Sequence, residues 1–586
     1  MTTGHVPSFD RGIGPLSDVP VPLRGNMDLF PTPDSVFRKF AESAVVEPRK
    51  RKRFLSLLNL FGITSYAEKN RQKMISLAER GINPFDIDTI PNNFSGIFAE
   101  FGVSILLEKT NESVAQRATK LIVAALKYRR SLLDDVLEKE GRGGTVIDND
   151  RNHNLFGRVA NVRKTGLKWR KDIRHCRNSA HIVVAVDGFF YKLPVIDDND
   201  TMIAAGDILH DIDSIIAAAA KDKNPPKPYG LITTNIVKSS AGVFYADDLD
   251  ESIKAIDEAI FLIAIDTVRR SADENDAAQD IHIRNHHNRD YRKSLQLVVL
   301  QNGFSGATFN FFAGVEGVLA ATFASWINSH ATTIPPIVAA KTQNRYSKLN
   351  FDKIDFGKLP LAQLRVKVAK YSCDFPLIKK IDAIGKDGIK RLNVSPDAFF
   401  HAAAHLAYYE KFKKIPSVHN LADIRGIKFG SVTRYLTTTG EMAQFLESQT
   451  KPALLNACRA HKEKIGAIKS GDNPIHYAYY YLYTAIGFKP LLAIMLFRIF
   501  VPDLITKHIS PDIWASNIPA LPGLYCLGRF GMLFKFARNN CLAGHYLLFP
   551  DHIKICFLSN KKSFLESWPF DRALNDAMIK LKQILS

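Results

Sequence analysis

The stretch Ala180-His-Ile-Val-Val-Ala-Val-Asp-Gly-Phe-Phe-Tyr-Lys-Leu-Pro-Val195 places two runs of β-branched and aromatic residues on either side of an Asp-Gly dipeptide. Asp-Gly is typical of the two-residue turn of a β-hairpin, because both central residues of that turn take a left-handed backbone conformation that few other residues tolerate. The sequence therefore predicts two paired strands here.

Strand and helix signals alternate on both sides of this hairpin. They predict mainly helices over 30–140, a loop over 138–154, a helix over 248–270, a strand pair at 295–300 and 308–312 joined across Asn302-Gly303, a helix over 397–412, a strand pair at 546–549 and 553–558, and a terminal helix over 571–585. The polar segment 341–365 favours a boundary near residue 350. We therefore expect an α/β protein with one domain over 1–350, helical in its first part, and a second over 351–586.

The composition is that of a folded protein with a basic surface. The chain has 586 residues, and 78 Lys and Arg against 59 Asp and Glu give a formal net charge of +19. A single core stops growing at about 250–300 residues, so more than one domain is expected. The positive excess favours anionic ligands, among which nucleic acid, acidic lipid and phosphorylated cofactors are all candidates.

One basic run stands out near the start, at Arg49, Lys50, Arg51, Lys52 and Arg53, just before the apolar residues 54–61. Such a run predicts contact with an anionic membrane or with nucleic acid. The alternative is a solvated helix face.

No feature of the sequence directs the chain into or across a membrane. The N-terminus lacks an apolar signal region, and the apolar stretches 317–340 and 475–505 are interrupted by prolines, polar or charged residues. The six cysteines show no Cys-x-x-Cys spacing, so neither a disulfide scaffold nor a zinc motif is predicted. We expect a cytoplasmic protein in a reducing compartment without a transmembrane segment, while secretion by a non-standard route and nuclear entry stay open.

Four segments of the chain resemble the carnitine/choline O-acyltransferase family. They are Ser179-Ala-His-Ile-Val-Val with Phe190-Tyr191; residues 288–299, Asn-Arg-Asp-Tyr-Arg-Lys-Ser-Leu-Gln-Leu-Val-Val; Gly385-Lys386, Lys390 and Ser395-Pro-Asp-Ala-Phe399 with residues 406–409, Leu-Ala-Tyr-Tyr; and, more weakly, residues 536–549, in which Gly544 remains. The third segment is the most specific, because it combines a spacing with the Ser-Pro-Asp triplet.

This resemblance implies both a fold and a reaction. The fold is two related mixed α/β domains of the chloramphenicol-acetyltransferase-like, CoA-dependent acyltransferase type, with the active site in a tunnel between them. In that family a histidine in a Glu-His-Ser-x-x-Asp-Gly stretch, just after the second strand pair, is the general base. A Ser-Thr-Ser motif in the second domain supports the oxyanion of the tetrahedral intermediate.

The residues that carry this chemistry in the family are missing here. Glu316-Gly317 matches the Asp-Gly of the motif, which puts Phe312 at the base, and no histidine lies between His287 and His330. The Ser-Thr-Ser position falls near residues 525–527, which are Tyr-Cys-Leu. Of the stretch that holds the carnitine carboxylate in the family, only Arg425 and Gly430 remain. We therefore expect an eroded acyl-transfer site with no identifiable catalytic residue.

The cofactor side of the resemblance is better preserved. In the family two lysines four residues apart meet the CoA phosphates and the Asp of Ser-Pro-Asp meets the adenine, and Lys386, Lys390 and Asp397 occupy these positions. Lysines at i and i+4 share one face of a helix and suit a phosphate. The alternative is two exposed lysines beside a helix that Ser395-Pro-Asp397 merely begins.

Three histidines are candidates for other roles. His401 and His405 stand at i and i+4 on the predicted helix, where the family tends to carry glutamines, but no third ligand is apparent, so no metal site is predicted. Either residue, or His419, is a candidate for a relocated base.

Three hypotheses follow for the function. The first is an acyltransferase-like pseudoenzyme that keeps a binding site for CoA, acyl-CoA or another phosphate ligand. The second is an active CoA-dependent O-acyltransferase with a relocated base and an acceptor other than carnitine. The third is a nucleic-acid or membrane binder that uses the same scaffold for its basic surface. The sequence does not indicate an acceptor, an acyl chain length or an oligomeric state.

Overall fold

A computed structural model gives the fold of most of the chain. It describes residues 30–43, 47–79, 89–90, 102–137, 147–165, 168–176, 178–234, 241–244, 249–268, 271–340, 342–372, 377–427, 430, 432–474, 477–478, 481, 511–517, 525–528, 540–559 and 562–586. Within these ranges the strands form one eight-stranded sheet, one six-stranded sheet and a small three-stranded sheet.

The α-helices of the described residues are spread along the whole chain. They are α1 (Pro33–Ser43), α2 (Pro48–Leu60), α3 (Ile63–Glu79), α4 (Val114–Leu133), α5 (Ala205–Lys221), α6 (Tyr229–Thr233), α7 (Glu251–Glu258), α8 (Glu274–Gln279), α9 (Gly317–Thr333), α10 (Leu361–Ser372), α11 (Lys386–Arg391), α12 (Pro396–Phe412), α13 (Gly440–Ser448), α14 (Lys451–Lys469), α15 (Lys562–Ser567) and α16 (Phe570–Leu585).

The strands alternate with these helices. They are β1 (Thr89–Ile90), β2 (Gly102–Leu106), β3 (Arg158–Thr165), β4 (Lys168–His175), β5 (His181–Val186), β6 (Phe189–Pro194), β7 (Leu262–Asp266), β8 (Leu295–Leu300), β9 (Ser305–Asn310), β10 (Ser347–Leu349), β11 (Leu377–Ile381), β12 (Val418–Asp423), β13 (Val432–Leu436), β14 (Ile513–Asn517), β15 (Tyr525–Gly528), β16 (Leu542–Leu548) and β17 (Ile553–Ser559).

The eight-stranded sheet contains the predicted hairpin. Its order is β10-β6-β5-β7-β8-β9-β2-β15, with β5, β7 and β8 parallel to one another. Strands β5 and β6 pair across Asp187 and Gly188, whose φ angles are 47° and 95°. The hairpin prediction is confirmed, and so is the pairing of β8 with β9.

Both faces of this sheet are covered by helices. Ile182 and Val184 of β5 belong to the core under α4, α5 and α9, whereas Val183 and Ala185 belong to the core on the opposite face, with α6 and α7. Every side chain of β5 is therefore buried. Burial on both faces explains why the strand reads as a continuous apolar run instead of an alternating one.

One sequence prediction in this half is wrong. The helix predicted over 248–270 ends at Glu258, and Leu262–Asp266 is instead the central strand β7. A short apolar run that is buried on all sides has the same pattern in a helix and in a strand, so periodicity cannot separate them. The described residues of 30–140 are mainly helical, as predicted, and they also include β2, which lies between β9 and β15 in the sheet.

The six-stranded sheet is built from the second half of the chain. Its order is β11-β17-β16-β14-β12-β13, and α12, α14 and α16 share its core. The predicted helix over 397–412, the strand pair β16 and β17 and the terminal helix are all confirmed. This sheet and its helices hold the residues predicted for the cofactor.

The two halves of the chain are interleaved in space. Strand β15 comes from the second half but pairs with β2 of the eight-stranded sheet. In return, helices α1–α3 share an apolar cluster with Leu436 and Tyr481 of the second half, and Lys39 lies 2.9 Å from Asp472. The division of the chain at residue 350 stays a prediction.

Among the described helices, none has the length and hydrophobicity needed to cross a membrane. The apolar stretch that begins at Gly317 forms α9, whose Leu319, Phe323 and Ile327 are buried in the core, as predicted. Most of the stretch 475–505 lies outside the described residues.

Candidate functional site

The position of the expected base lies in a fixed turn at the end of β9. After Asn310 the chain makes a 3-10 turn over Phe311–Ala313 and then a left-handed residue, Gly314. The Asn310 side chain accepts hydrogen bonds from the backbone nitrogens of Phe312, at 2.8 Å, and Ala313, at 3.4 Å. This cap ends the strand two residues before the predicted end at 312.

The Phe312 side chain is part of an apolar surface. It is partly buried against the core cluster on the α6 and α7 face of the eight-stranded sheet, whereas the ring of Phe311 is 45% exposed. A phenyl ring has no group that takes or gives a proton. The side chain at the position that the resemblance assigns to the base therefore packs against the core and has no group that could act as a base.

Glu316, which matches the acidic residue of the base motif, connects the two halves of the chain. Its Oε1 lies 2.9 Å from Nη1 of Arg151, and its Oε2 accepts a hydrogen bond of 3.1 Å from the backbone nitrogen of Val432 in β13. Both charged side chains are 17% exposed. The acid of the motif is thus occupied by protein partners.

The residues expected on the acceptor side also contact other parts of the protein. The guanidinium of Arg425 pairs with Asp423, at 2.9 Å, and is only 7% exposed. Asn420 donates a hydrogen bond of 2.9 Å to the Tyr435 hydroxyl. Gly430 lies so close to the carbonyl oxygens of Ile424 and Ile427 that a Cβ would collide with them. The side chains of β15, at the Ser-Thr-Ser position, lie outside what the structure describes.

The two lysines predicted for the cofactor lie on α11, which is anchored to the turn between β16 and β17. The backbone nitrogens of Lys386 and Asp387 donate to the carbonyl oxygens of Phe549, at 2.8 Å, and Pro550, at 3.0 Å. The Lys386 side chain is half-buried and that of Lys390 is exposed. No carboxylate of the described residues forms an ion pair with either ammonium group.

Asp397, the third predicted cofactor residue, lies in the first turn of α12. Ser395 caps this helix by accepting a hydrogen bond from Ala398, and Pro396 is its first residue, so the triplet does begin a helix. The Asp397 carboxylate accepts hydrogen bonds from His461 Nε2, at 2.8 Å, from Asn517, at 3.4 Å, and from the hydroxyl of Tyr546. It is 20% exposed.

The surroundings of Asp397 contain a cluster that the sequence analysis missed. Ligand atoms of Asp397, His401 and His461 all lie within 4.8 Å of one another. His401 Nε2 is 3.2 Å from the Tyr546 hydroxyl. The i, i+4 spacing of Asp397 and His401 indicates from the sequence that the two side chains share one face of a helix. His461 lies on α14, and nothing in the sequence near residue 400 indicates that α14 packs there.

Burial and hydrogen bonding set the protonation states in this cluster. Burial alone would raise the pKa of Asp397, but the hydrogen bond from His461 and the nearby imidazole of His401 hold it well below its usual value. Burial lowers the pKa of His401 well below its usual value, against the attraction of Asp397. At neutral pH the carboxyl group is therefore ionised and His401 is neutral.

A family assignment follows from comparison with known sequences. Residues 87–575 match the sequence profile described as Choline/Carnitine o-acyltransferase. The chain belongs to this family. The mixed α/β architecture that the resemblance implied is confirmed by the eight-stranded and six-stranded sheets.

Individual relatives are distant. The chain is 26% identical to choline O-acetyltransferase of Rattus norvegicus over 310 residues, which are 48% of this chain and 48% of that protein. It is 24% identical to carnitine O-acetyltransferase of Columba livia over 378 residues, 59% of this chain and 58% of that protein. The match thus spans about half to three fifths of the curated relatives' length.

Solved structures align with this chain at lower sequence identity. Trichothecene 15-O-acetyltransferase TRI3 from Fusarium sporotrichioides aligns with a TM-score of 0.38 and 10% identity, over 83% of this chain and 94% of that chain. Wax ester synthase/diacylglycerol acyltransferase from Marinobacter aquaeolei VT8 aligns with a TM-score of 0.31 and 10% identity, over 85% and 100% of the two chains.

The candidates for a relocated base in this family member are all buried. His405 has both ring nitrogens engaged, Nδ1 at 2.7 Å from the His401 carbonyl oxygen and Nε2 at 2.9 Å from Thr438 Oγ1. Burial lowers the pKa of His405 to about 4. His419 is also fully buried, with Nε2 3.5 Å from Ser417 Oγ.

A serine–histidine pair in the first sheet was not singled out from the sequence. Ser104 Oγ lies 2.6 Å from His282 Nδ1 and 3.0 Å from Thr308 Oγ1. His282 belongs to a π-helical turn, Asp280–Arg284, and both Ser104 and His282 are 2% exposed. A serine beside an imidazole is the arrangement of an activated nucleophile, but here both side chains are buried.

The basic run from Arg49 to Arg53 forms the first turns of α2. Phe54 and Leu58 of the same helix are buried in the cluster with Tyr481, which fixes the helix on the protein. Arg49, Lys52 and Arg53 are exposed, and Lys50 and Arg51 are half-buried. Contact of this run with a membrane or nucleic acid stays a prediction.

Proposed function

We propose that this member of the choline/carnitine O-acyltransferase family has lost acyl transfer from CoA to carnitine or choline and retains a binding site for CoA or a similar phosphate ligand. The observation that carries the first part is Phe312. It occupies the turn of the expected base with an apolar ring, and the cap from Asn310 holds that turn in place.

The acceptor side supports the loss of transfer. A carboxylate substrate needs a free cation, but the guanidinium of Arg425 is paired with Asp423 and nearly buried. The acid of the base motif, Glu316, is bound to Arg151 and to the backbone of Val432. Glu316 would have to leave its protein partners before it could serve a substrate, and the one guanidinium nitrogen of Arg425 without a partner, Nη1, is buried.

The two lysines of α11 support the retained binding site. An ammonium group that pairs with no described carboxylate is available to a phosphate, and two of them one helical turn apart match a pyrophosphate or a phosphomonoester. The helical backbone of α11 fixes the separation of the two positions, and its anchoring on the β16–β17 turn fixes where they lie on the protein. Asp397 is not needed for this proposal, because its carboxylate already accepts hydrogen bonds from His461 and Tyr546.

Calorimetric titration with CoA tests the binding site. We expect the wild-type protein to bind CoA and the double variant Lys386→Glu/Lys390→Glu to bind at least about 100-fold more weakly, because each charge-assisted hydrogen bond contributes about 1.5–3 kcal/mol. The matched control is Lys411→Glu/Lys414→Glu, which makes the same charge change at two exposed positions, one in the last turn of α12 and one just after it. Equal weakening in both double variants, or no binding by the wild type, would contradict the site.

A thiol-release assay tests the loss of transfer. With acetyl-, octanoyl- or palmitoyl-CoA we expect no release of CoA thiol that depends on added carnitine or choline. Acceptor-dependent release by the wild type that His401→Ala or His405→Ala abolishes would favour the second hypothesis, an enzyme with a relocated base.

A further inference from the structure

We propose that Asp397, His401 and His461 form a binding site for a divalent transition-metal ion, with zinc as the ion that the ligand set suits best. This inference does not depend on CoA binding. Two imidazoles and one carboxylate are a ligand set that zinc accepts, and three protein ligands leave one position for another group.

The geometry of the cluster supplies the first argument. Asp397 and His401 project from one face of α12 because they are four residues apart, and His461 faces them from α14, which packs against α12. His461 Nε2 is 2.8 Å from Asp397 Oδ2, and all three ligand atoms lie within 4.8 Å. The ligand atoms of a tetrahedral zinc ion stand about 3.3 Å apart, so small side-chain shifts accommodate the ion.

The charge of the cluster supplies the second argument. Asp397 carries a largely buried negative charge, and no Lys or Arg among the described residues pairs with it. Buried charges in proteins are paired or coordinate metal ions. A divalent cation at this position compensates the carboxylate directly.

Tyr546 completes the surroundings of the site. Its hydroxyl contacts both Asp397 and His401 Nε2, and its ring stacks on Phe400 at 3.6 Å between centroids. Partners that orient metal ligands in this way typically change metal affinity by about 10–100-fold when removed. The ion would join α12, α14 and β16 in the interior of the second half.

The test uses the full-length protein, stripped with EDTA and titrated with Zn²⁺ by calorimetry and with Co²⁺ by visible absorption. We expect one Zn²⁺ per chain and the strong d–d absorption of a four-coordinate Co²⁺. His401→Gln and His405→Gln form a matched pair, because both histidines are buried on α12 and both positions carry glutamine in the family resemblance. Loss of binding is expected in His401→Gln and full binding in His405→Gln.

Two further variants make the result decisive. His461→Gln should abolish binding, and Tyr546→Phe should weaken it by about 10-fold or more while the Co²⁺ spectrum persists. Absence of stoichiometric binding by the wild type would overturn the proposal. So would equal binding by the wild type and by both His401→Gln and His461→Gln, since the ion would then be held elsewhere.

Discussion

Glu316 Oε2 lies 3.1 Å from the backbone nitrogen of Val432, so a carboxylate that follows the eight-stranded sheet holds the edge strand of the six-stranded sheet. The other oxygen of the same carboxylate pairs with Arg151. The carboxylate that matches the acid of the family's base motif is thus a structural link between the two halves.

Removing the charge of Glu316 should therefore destabilise the protein. Hydrogen bonds to a charged group contribute about 1.5–3 kcal/mol, and the amide of Glu316→Gln keeps one acceptor, so we expect a loss of about 1–2 kcal/mol in the free energy of unfolding. Denaturant unfolding measures it. The control, Asp134→Asn, breaks the exposed pair of Asp134 with Arg130 and should cost at most about 0.5 kcal/mol. If both variants lose the same small amount of unfolding free energy, the contacts of Glu316 contribute nothing to stability.

The ring of Phe312 should be needed for packing and not for catalysis. Phe312→His places a polar ring against an apolar cluster, so we expect a loss of about 1–2 kcal/mol in stability, smaller than for a fully buried phenylalanine. Phe311→His is the control, because the ring of Phe311 is 45% exposed. Thermal denaturation measures the stability of both variants, and the thiol-release assay measures their activity. Carnitine-dependent release by Phe312→His would show that the rest of the parent site has survived.

The parts of the fold that the sequence predicted correctly are those with a local signal. Asp187-Gly188 specifies its own turn, and Ser395-Pro396 specifies its own helix start, whatever the rest of the chain does. Strand β7 and strand β2 have no such signal. Both are recognisable as strands only through their neighbours in the sheet, which lie far away in sequence.

The candidate site shows the same limit. The family resemblance located Lys386, Lys390 and Phe312 by their motifs. His461 has no motif around it, and it meets Asp397 only because α14 packs against α12. The partners of Arg425 and Glu316 likewise come from tertiary packing, so whether these residues are free for a substrate could not be predicted from their types.

Anchoring of α11 depends on a glycine. A Cβ on Gly385 would collide with the backbone of Asp551 and His552 in the β16–β17 turn, so Gly385→Ala should cost about 1–3 kcal/mol. The control, Gly466→Ala, lies inside α14 with no atom within 4 Å of the added methyl and should stabilise the protein by about 0.5–1 kcal/mol. Denaturation curves of the two variants should therefore shift in opposite directions. A shift in the same direction would contradict the close approach at Gly385.

His405 should make the protein less stable in acid. Burial lowers its pKa to about 4 in the folded state, against about 6.5 when unfolded, so the unfolded chain binds the proton first as the pH falls. Stability is therefore lost between pH 6.5 and about 4, and this one group accounts for about 2 kcal/mol between pH 7.5 and pH 5. His405→Gln, compared with the wild type by denaturant unfolding in EDTA at those two pH values, should lose less stability by about that amount. Equal losses in the two proteins would mean that His405 is not held neutral in the folded state.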